Sequence, residues 1–187
     1  TRNWRVTPPE RIVVREVIKE AVRLSKDGHA YVLATVVHTR GSTPQKPGAK
    51  LLVRSDGSGV GTLGGGCVEG DIWFAAKEAL RDRSGPVFRD YLLNEDIAAR
   101  DGLVCGGSMY FYIEPVTEPN TNKSLVEEID RAHEGGPPVA LARVVNAVSP
   151  GIQIGAHLLV RHDGSTVGTL GDPALDRQSE QEARALM

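Results

Sequence analysis

Apolar positions along the chain recur first at helical spacing and then as continuous runs, and each switch marks an element. Ile12, Val14, Val17, Ile18, Ala21, Val22 and Leu24 form one stripe behind Pro8 and Pro9, with Thr7 at the start and Gly28 at the stop. That pattern predicts a first helix. AYVLATVV, Ala30 to Val37, is apolar on both faces, as a central buried strand is. A loop with Pro44 and Pro47 leads into KLLVRSDGSGVGTL, which predicts two short strands about a Ser-Asp-Gly-Ser turn. Val68 to Leu80 reads as a second helix, with Ile72, Phe74, Ala75, Ala76, Ala79 and Leu80 available for packing. VFRDYLL and SMYFYIEPV are further strands, and Leu125 to His133 a further helix. The alternation predicts an α/β fold, a mixed sheet with flanking helices.

The same pattern then returns. ATVVHTRGSTPQKPGAKLLVRSDGSGVGTLGG, from Ala34, aligns with ARVVNAVSPGIQIGAHLLVRHDGSTVGTLGD, from Ala142, when one residue is dropped in the proline loop. Identities concentrate in the hairpin, from Gly48/Gly155 through Arg54/Arg161 and Asp56/Asp163 to Gly61–Gly64 against Gly168–Gly171. The expectation is an internal duplication of a strand, loop, hairpin and helix unit, at about 30–82 and about 138–187, joined near GGPP at Gly135 to Pro138. Shared positions are most economically scaffold; unshared ones are the candidates for chemistry. The first copy continues as GGGCVEGD, the second as GDPALDR. The first also carries Arg40 and Lys46 in its loop, which the second lacks.

Composition narrows the classes. With 22 basic and 24 acidic residues in 187, the net charge of -2 makes no case for nucleic acid, and 5% aromatic content gives no base-stacking platform. No apolar run approaches the ~20 residues of a membrane helix. Two cysteines in Gly-rich contexts suit reduced thiols in a cytoplasm, and the five histidines show no metal spacing. Gly59, Gly61 and Gly64 spell GxGxxG, but within a hairpin rather than between a parallel strand and a helix, so a dinucleotide site gains little.

GGGC opening a helix exposes unhindered N–H groups at a positive helix end, which suits an anionic group and favours the thiolate of Cys67 as nucleophile or soft-metal ligand. The plainer alternative is a small buried cysteine at a close helix–strand contact. Glu69 reads either as a partner of the site or as charge compensation for the helix dipole. Cys105, in VCGGS, divides evenly between tight packing and a role. Arg40, Ser42, Thr43 and Lys46 read either as a lateral grip on a phosphate or as solvated loop.

GSTPQKPGAKLLVRSDGSGVGTLGGGCVEG, with a later CGG at Cys105 to Gly107 and IEP at Ile113 to Pro115, closely resembles the XdhC/CoxI family of accessory proteins for molybdenum hydroxylases. The resemblance covers the chain from about the first helix through the second hairpin. It implies a carrier that transiently binds molybdenum cofactor, assists its sulfuration with a cysteine desulfurase, and delivers it to a hydroxylase apoenzyme of the xanthine dehydrogenase or carbon monoxide dehydrogenase type. The implied cofactor-binding residues are Gly64, Gly65, Gly66, Cys67, Glu69, Cys105 and Gly106, with Arg40, Ser42, Thr43 and Lys46 in the loop; Cys67 is the implied metal contact. Many members continue into a C-terminal Rossmann domain, whereas this sequence stops at Met187 inside a predicted helix, as a truncated chain or a short member does. Two other readings stand beside the carrier: an enzyme or sulfur carrier using Cys67, which needs a base, and a non-catalytic component of the hydroxylase complex. The pseudo-symmetric repeat is compatible with a homodimer without requiring one.

Overall fold

The computed structural model describes residues 8–64, 66–93 and 107–187; Thr7, the expected start of the first helix, lies outside them. Its elements are α1 (Pro8–Asp27), β1 (Tyr31–Arg40), β2 (Lys50–Arg54), β3 (Gly59–Gly61), α2 (Gly66–Asp82), β4 (Val87–Leu92), β5 (Ser108–Val116), α3 (Pro119–His133), β6 (Val139–Arg143), β7 (His157–Arg161), β8 (Thr166–Thr169) and α4 (Pro173–Leu186). Two compact units divide the chain, Thr1–Asn122 and Lys123–Met187. The α/β expectation holds, with one refinement: every described strand pair is antiparallel.

The first unit is a five-stranded sheet in the order β3-β2-β1-β5-β4. As its two-sided apolar run requires, β1 lies in the middle. One face carries Val32, Ala34, Val36, Leu51, Val53, Met109, Phe111 and Ile113, and α2 covers it with Val68, Ile72, Ala75 and Ala76. These four α2 positions fall at helical spacing, so one stripe of the helix is removed from water. Phe74 projects from a different side of the helix and is 64% exposed, contrary to its expected place in the packing. α1 packs along β2 and β3, where its Glu20 accepts from Arg54 Nε at 2.6 Å and from Arg23 Nη2 at 2.7 Å.

The second unit holds a three-stranded sheet, β6-β7-β8, whose core is Leu158, Val160, Leu170 and Ala183 of α4. α3 starts at Pro119 rather than at Leu125, because proline suits a first helical turn while Asn120 to Asn122 add no apolar signal. Its Glu128 receives Arg161 at two points, Nε to Oε1 and Nη2 to Oε2 at 3.0 Å.

Register and bonding run parallel in the two units. β1 pairs β2 from Tyr31↔Arg54 to Thr35↔Lys50, and β6 pairs β7 from Val139↔Arg161 to Arg143↔His157. Asp56 accepts from the Ser58 N–H, and Asp163 from the Ser165 N–H. Gly48 N–H donates to the Val36 carbonyl, and Gly155 N–H to the Val144 carbonyl. Among the described residues no helix is long and apolar enough to cross a membrane.

Candidate functional site at the start of helix α2

Three segments far apart in sequence meet where β1 ends and α2 begins. The first is the loop of residues 41–48, which leaves β1 and returns as β2. Thr43 Oγ1 donates to the Gln45 carbonyl at 2.9 Å, Ala49 N–H donates to the Lys46 carbonyl at 3.2 Å, and Gly48 N–H closes back on Val36 at 2.8 Å. The loop therefore has internal order of its own.

The second segment is the turn of residues 62–64. Gly64 has φ +117°, a region that side chains disfavour, and a β-carbon there would lie 2.6 Å from Cγ and 2.7 Å from Cβ of Pro44. Glycine is required twice over, by the backbone and by the proline from the first segment. Leu63 N–H donates to Glu69 Oε1 at 3.1 Å, and Gly64 N–H donates to Thr62 Oγ1 at 3.2 Å. Leu63 itself is fully buried and anchors the turn in the core under α2.

The third segment is Gly107, directly before β5. A β-carbon on it would meet the backbone carbonyl oxygens of Ser42 and of Arg40, the latter at 2.5 Å, as well as Thr43 Cγ2 at 2.9 Å. Its own carbonyl accepts from Leu93 N–H at 2.9 Å. The glycine lets β5 enter against the loop as closely as backbone allows.

The predicted site residues thus divide. Ser42 and Thr43 meet Gly107 of the CGG motif, and Gly64 meets Pro44 of the same loop. Gly66 and Cys67 open α2 at its N-terminal end. Gly65, Cys105 and Gly106, and the position of the Cys67 side chain, lie outside the described part of the structure. Arg40 is exposed, its guanidinium carbon 6.0 Å from the Tyr110 ring centroid, and Lys46 is exposed on the loop. Gly64 is a packing and turn residue whose N–H already donates to Thr62, not an idle donor in a cradle. Among the described residues no group of three His, Cys, Asp or Glu side chains could hold a metal ion.

Glu69 needs the largest revision. It was expected to be peculiar to the first copy, yet in the second unit Leu170 N–H donates to Asp176 Oδ1 at 2.7 Å, and Gly171 N–H to Thr169 Oγ1 at 3.0 Å. Glu69 and Asp176 occupy matching places 107 residues apart, the same offset as Arg54 and Arg161 (176 − 69 = 161 − 54). Carrying the hairpin alignment a few residues further pairs these two acids in sequence.

What does differ is the helix start. In the second unit Asp172 precedes α4, and its Oδ1 accepts from Ala174 N–H at 2.7 Å and Leu175 N–H at 3.1 Å, with Pro173 in the first turn. In the first copy the aligned residues are Gly65 and Gly66, and a glycine has no side chain with which to cap. The N–H groups matched to those of Ala174 and Leu175 belong to Cys67 and Val68.

Several known proteins are similar in sequence to this chain. The protein YqeB of Escherichia coli K12 is 37% identical over 97 residues, covering 52% of this chain and 18% of its own. A Bacillus subtilis protein named as a probable xanthine dehydrogenase subunit is 35% identical over 97 residues, covering 51% and 29%. The molybdenum cofactor insertion chaperone PaoD of E. coli K12 is 39% identical over 72 residues, covering 37% and 23%. The chain therefore spans less than a third of the length of these relatives. A crystal structure from Bacillus halodurans, described as a xanthine dehydrogenase, superposes with a TM-score of 0.61 over 81% of this chain and 44% of that one; at 24% identity it speaks for the fold. The model of the XdhC and CoxI family matches residues 24–91 and 132–187, one stretch around each hairpin, and by that match the chain belongs to the XdhC and CoxI family.

Proposed function

We propose that the junction of the loop 41–48, the turn 62–64 and the start of α2 binds molybdenum cofactor and passes it to a molybdenum hydroxylase of the xanthine dehydrogenase or carbon monoxide dehydrogenase type. Family membership supports the reading, as does a relative named a molybdenum cofactor insertion chaperone. The observation that carries it is the contrast between the helix starts. In the second unit the chain's own carboxylate takes the N–H groups at the head of α4; in the first copy two glycines stand where Asp172 and Pro173 do, and neither has a side chain with which to compete with a bound anion. Molybdenum cofactor brings a phosphate, and anionic oxygens suit a helix N-terminus.

The residues present fit that cargo chemically. Lys46 supplies positive charge from the loop, while Arg40 ends β1 with its guanidinium beside the Tyr110 ring. Cys67 in the first turn of α2 sits where the helix dipole favours a thiolate, a soft ligand for molybdenum. Assistance to the sulfuration of the bound cofactor, in partnership with a cysteine desulfurase, belongs to the same proposal. Gly107 lies at backbone contact with the loop, and Gly64 seats the Pro44 ring.

Incubation with freshly released molybdenum cofactor followed by ultrafiltration tests it, with pterin read by fluorescence after oxidation and molybdenum by elemental analysis. Wild type should retain both. Gly65→Asp with Gly66→Pro installs the cap of the second unit and should abolish retention without lowering the melting temperature, and Cys67→Ala should lose the molybdenum. Retention equal to wild type in both variants would overturn the assignment. A persulfide formed on Cys67 with desulfurase and cysteine, without cofactor retention, would replace carriage by sulfur transfer.

A further inference from the structure

We infer that Glu69 is a positioning residue that sets the glycine turn and the first turn of α2 by accepting one backbone N–H, without contact to what the site binds. The inference rests on the location of the proposed site, though its first measurement does not. Glu69 stands in the first turn of α2, two residues after Cys67, and reaches back to Leu63 N–H at 3.1 Å. That bond ties the first turn of α2 to the residue before Gly64. Leu63 is fully buried and Gly64 is seated on Pro44, so the donor's end of the bond is held by the core and by the loop.

The second unit supplies the internal control. Asp176 accepts from Leu170 N–H with the same neighbouring Thr169 bond, in a unit whose helix starts with Asp172 and Pro173 and carries no cysteine. A carboxylate retained where the thiol is absent is doing a task common to both units, namely joining helix to turn. Only an acceptor oxygen is needed for it, and the charge is dispensable; a carboxylate acting on cargo or on the thiol needs its charge or its proton.

Glu69→Gln, Glu69→Asp and Glu69→Ala, each made with Cys105→Ser so that Cys67 is the single thiol, separate the two. Exchange of the Leu63 amide with deuterium and the alkylation rate of Cys67 by iodoacetamide are the readouts, with cofactor retention beside them. In Glu69→Ala the Leu63 amide should exchange about 10- to 100-fold faster, as expected when a hydrogen bond to a charged group is lost, and the alkylation rate should change with it. Gln should keep part of the protection, with exchange at most about tenfold faster and alkylation within about threefold, since its amide oxygen still accepts though without the charge, and Asp should keep both within about threefold because Asp176 makes this bond in the second unit. If Gln matches Ala in alkylation or retention, the charge of Glu69 acts at the site and the inference fails. It fails equally if Ala leaves the Leu63 amide protected. Absence of cofactor retention in the wild type would sink the proposed function and leave the exchange and alkylation comparison decisive for Glu69.

Discussion

Gly64→Ala probes how closely the proline loop is seated on the turn before α2. Two separate terms oppose the substitution. At φ +117° an alanine backbone is disfavoured by about 1–2 kcal/mol. Its β-carbon would also stand 2.6 Å and 2.7 Å from two atoms of the Pro44 ring, well inside van der Waals contact, and forced overpacking of this kind costs about 1–3 kcal/mol. The total is about 2–5 kcal/mol. Gly171→Ala in the second unit is the matched control: φ is +91°, but the nearest atom, the Gly151 carbonyl oxygen, is 3.3 Å away, so only the backbone term of about 1–2 kcal/mol applies in full. A Pro44→Gly background then removes the clash, and the cost of Gly64→Ala should fall toward that of Gly171→Ala. Urea unfolding followed by far-UV circular dichroism measures all five chains, the wild type included, with the fluorescence of Trp73 reporting the first unit. The coupling between residues 44 and 64 should be about 1–3 kcal/mol. A coupling near zero, with Gly64→Ala and Gly171→Ala equally costly, would refute the contact that closes the site.

Glu20 carries the clearest pH signal. Hydrogen bonds from Arg23 first and then Arg54 hold its carboxyl down to about 2, from an ordinary 4.5. A depressed carboxylate contributes stability above its unfolded-state value and loses it as pH falls toward the folded one, so the penalty of Glu20→Gln should be about 1–2 kcal/mol at pH 6 after screening by solvent, and shrink between pH 4.5 and 2. A penalty in urea melts that does not change with pH would contradict this. The two buried-versus-exposed phenylalanines give a contrast on one fold: Phe111→Ala, fully buried under α2, should cost about 3–5 kcal/mol, and Phe74→Ala, at 64% exposure, about 0.5 kcal/mol or less. Equal thermal shifts would mean that α2 does not pack as described.

The local periodicities were strong enough to read directly. The α1 stripe, the β1 run and both hairpins lie where the apolar pattern puts them, because a period of two or of 3.6 is itself a statement about which face meets the core. The sequence also contained the 107-residue offset that pairs Glu69 with Asp176, since both residues are acidic and follow the aligned GTLG. The onset of α3 was less legible, because polar residues in a first turn resemble those of a loop.

Contacts between distant segments are another matter. Nothing in the local pattern says that Pro44 rests on Gly64, or that Gly107 presses against the carbonyls of Arg40 and Ser42; those distances depend on how β1, β5 and α2 converge. Composition could nominate Gly64 as part of a cradle, while only the folded chain shows its N–H already bonded to Thr62 and its missing side chain making room for a proline. The sequence by itself determined the elements, the repeat pattern and the residues able to do chemistry, because those follow from side-chain type and spacing. The tertiary structure decided which glycines serve close approach and which carboxylate serves the backbone, because steric exclusion and hydrogen bonding act over a few ångströms between residues that the chain keeps far apart.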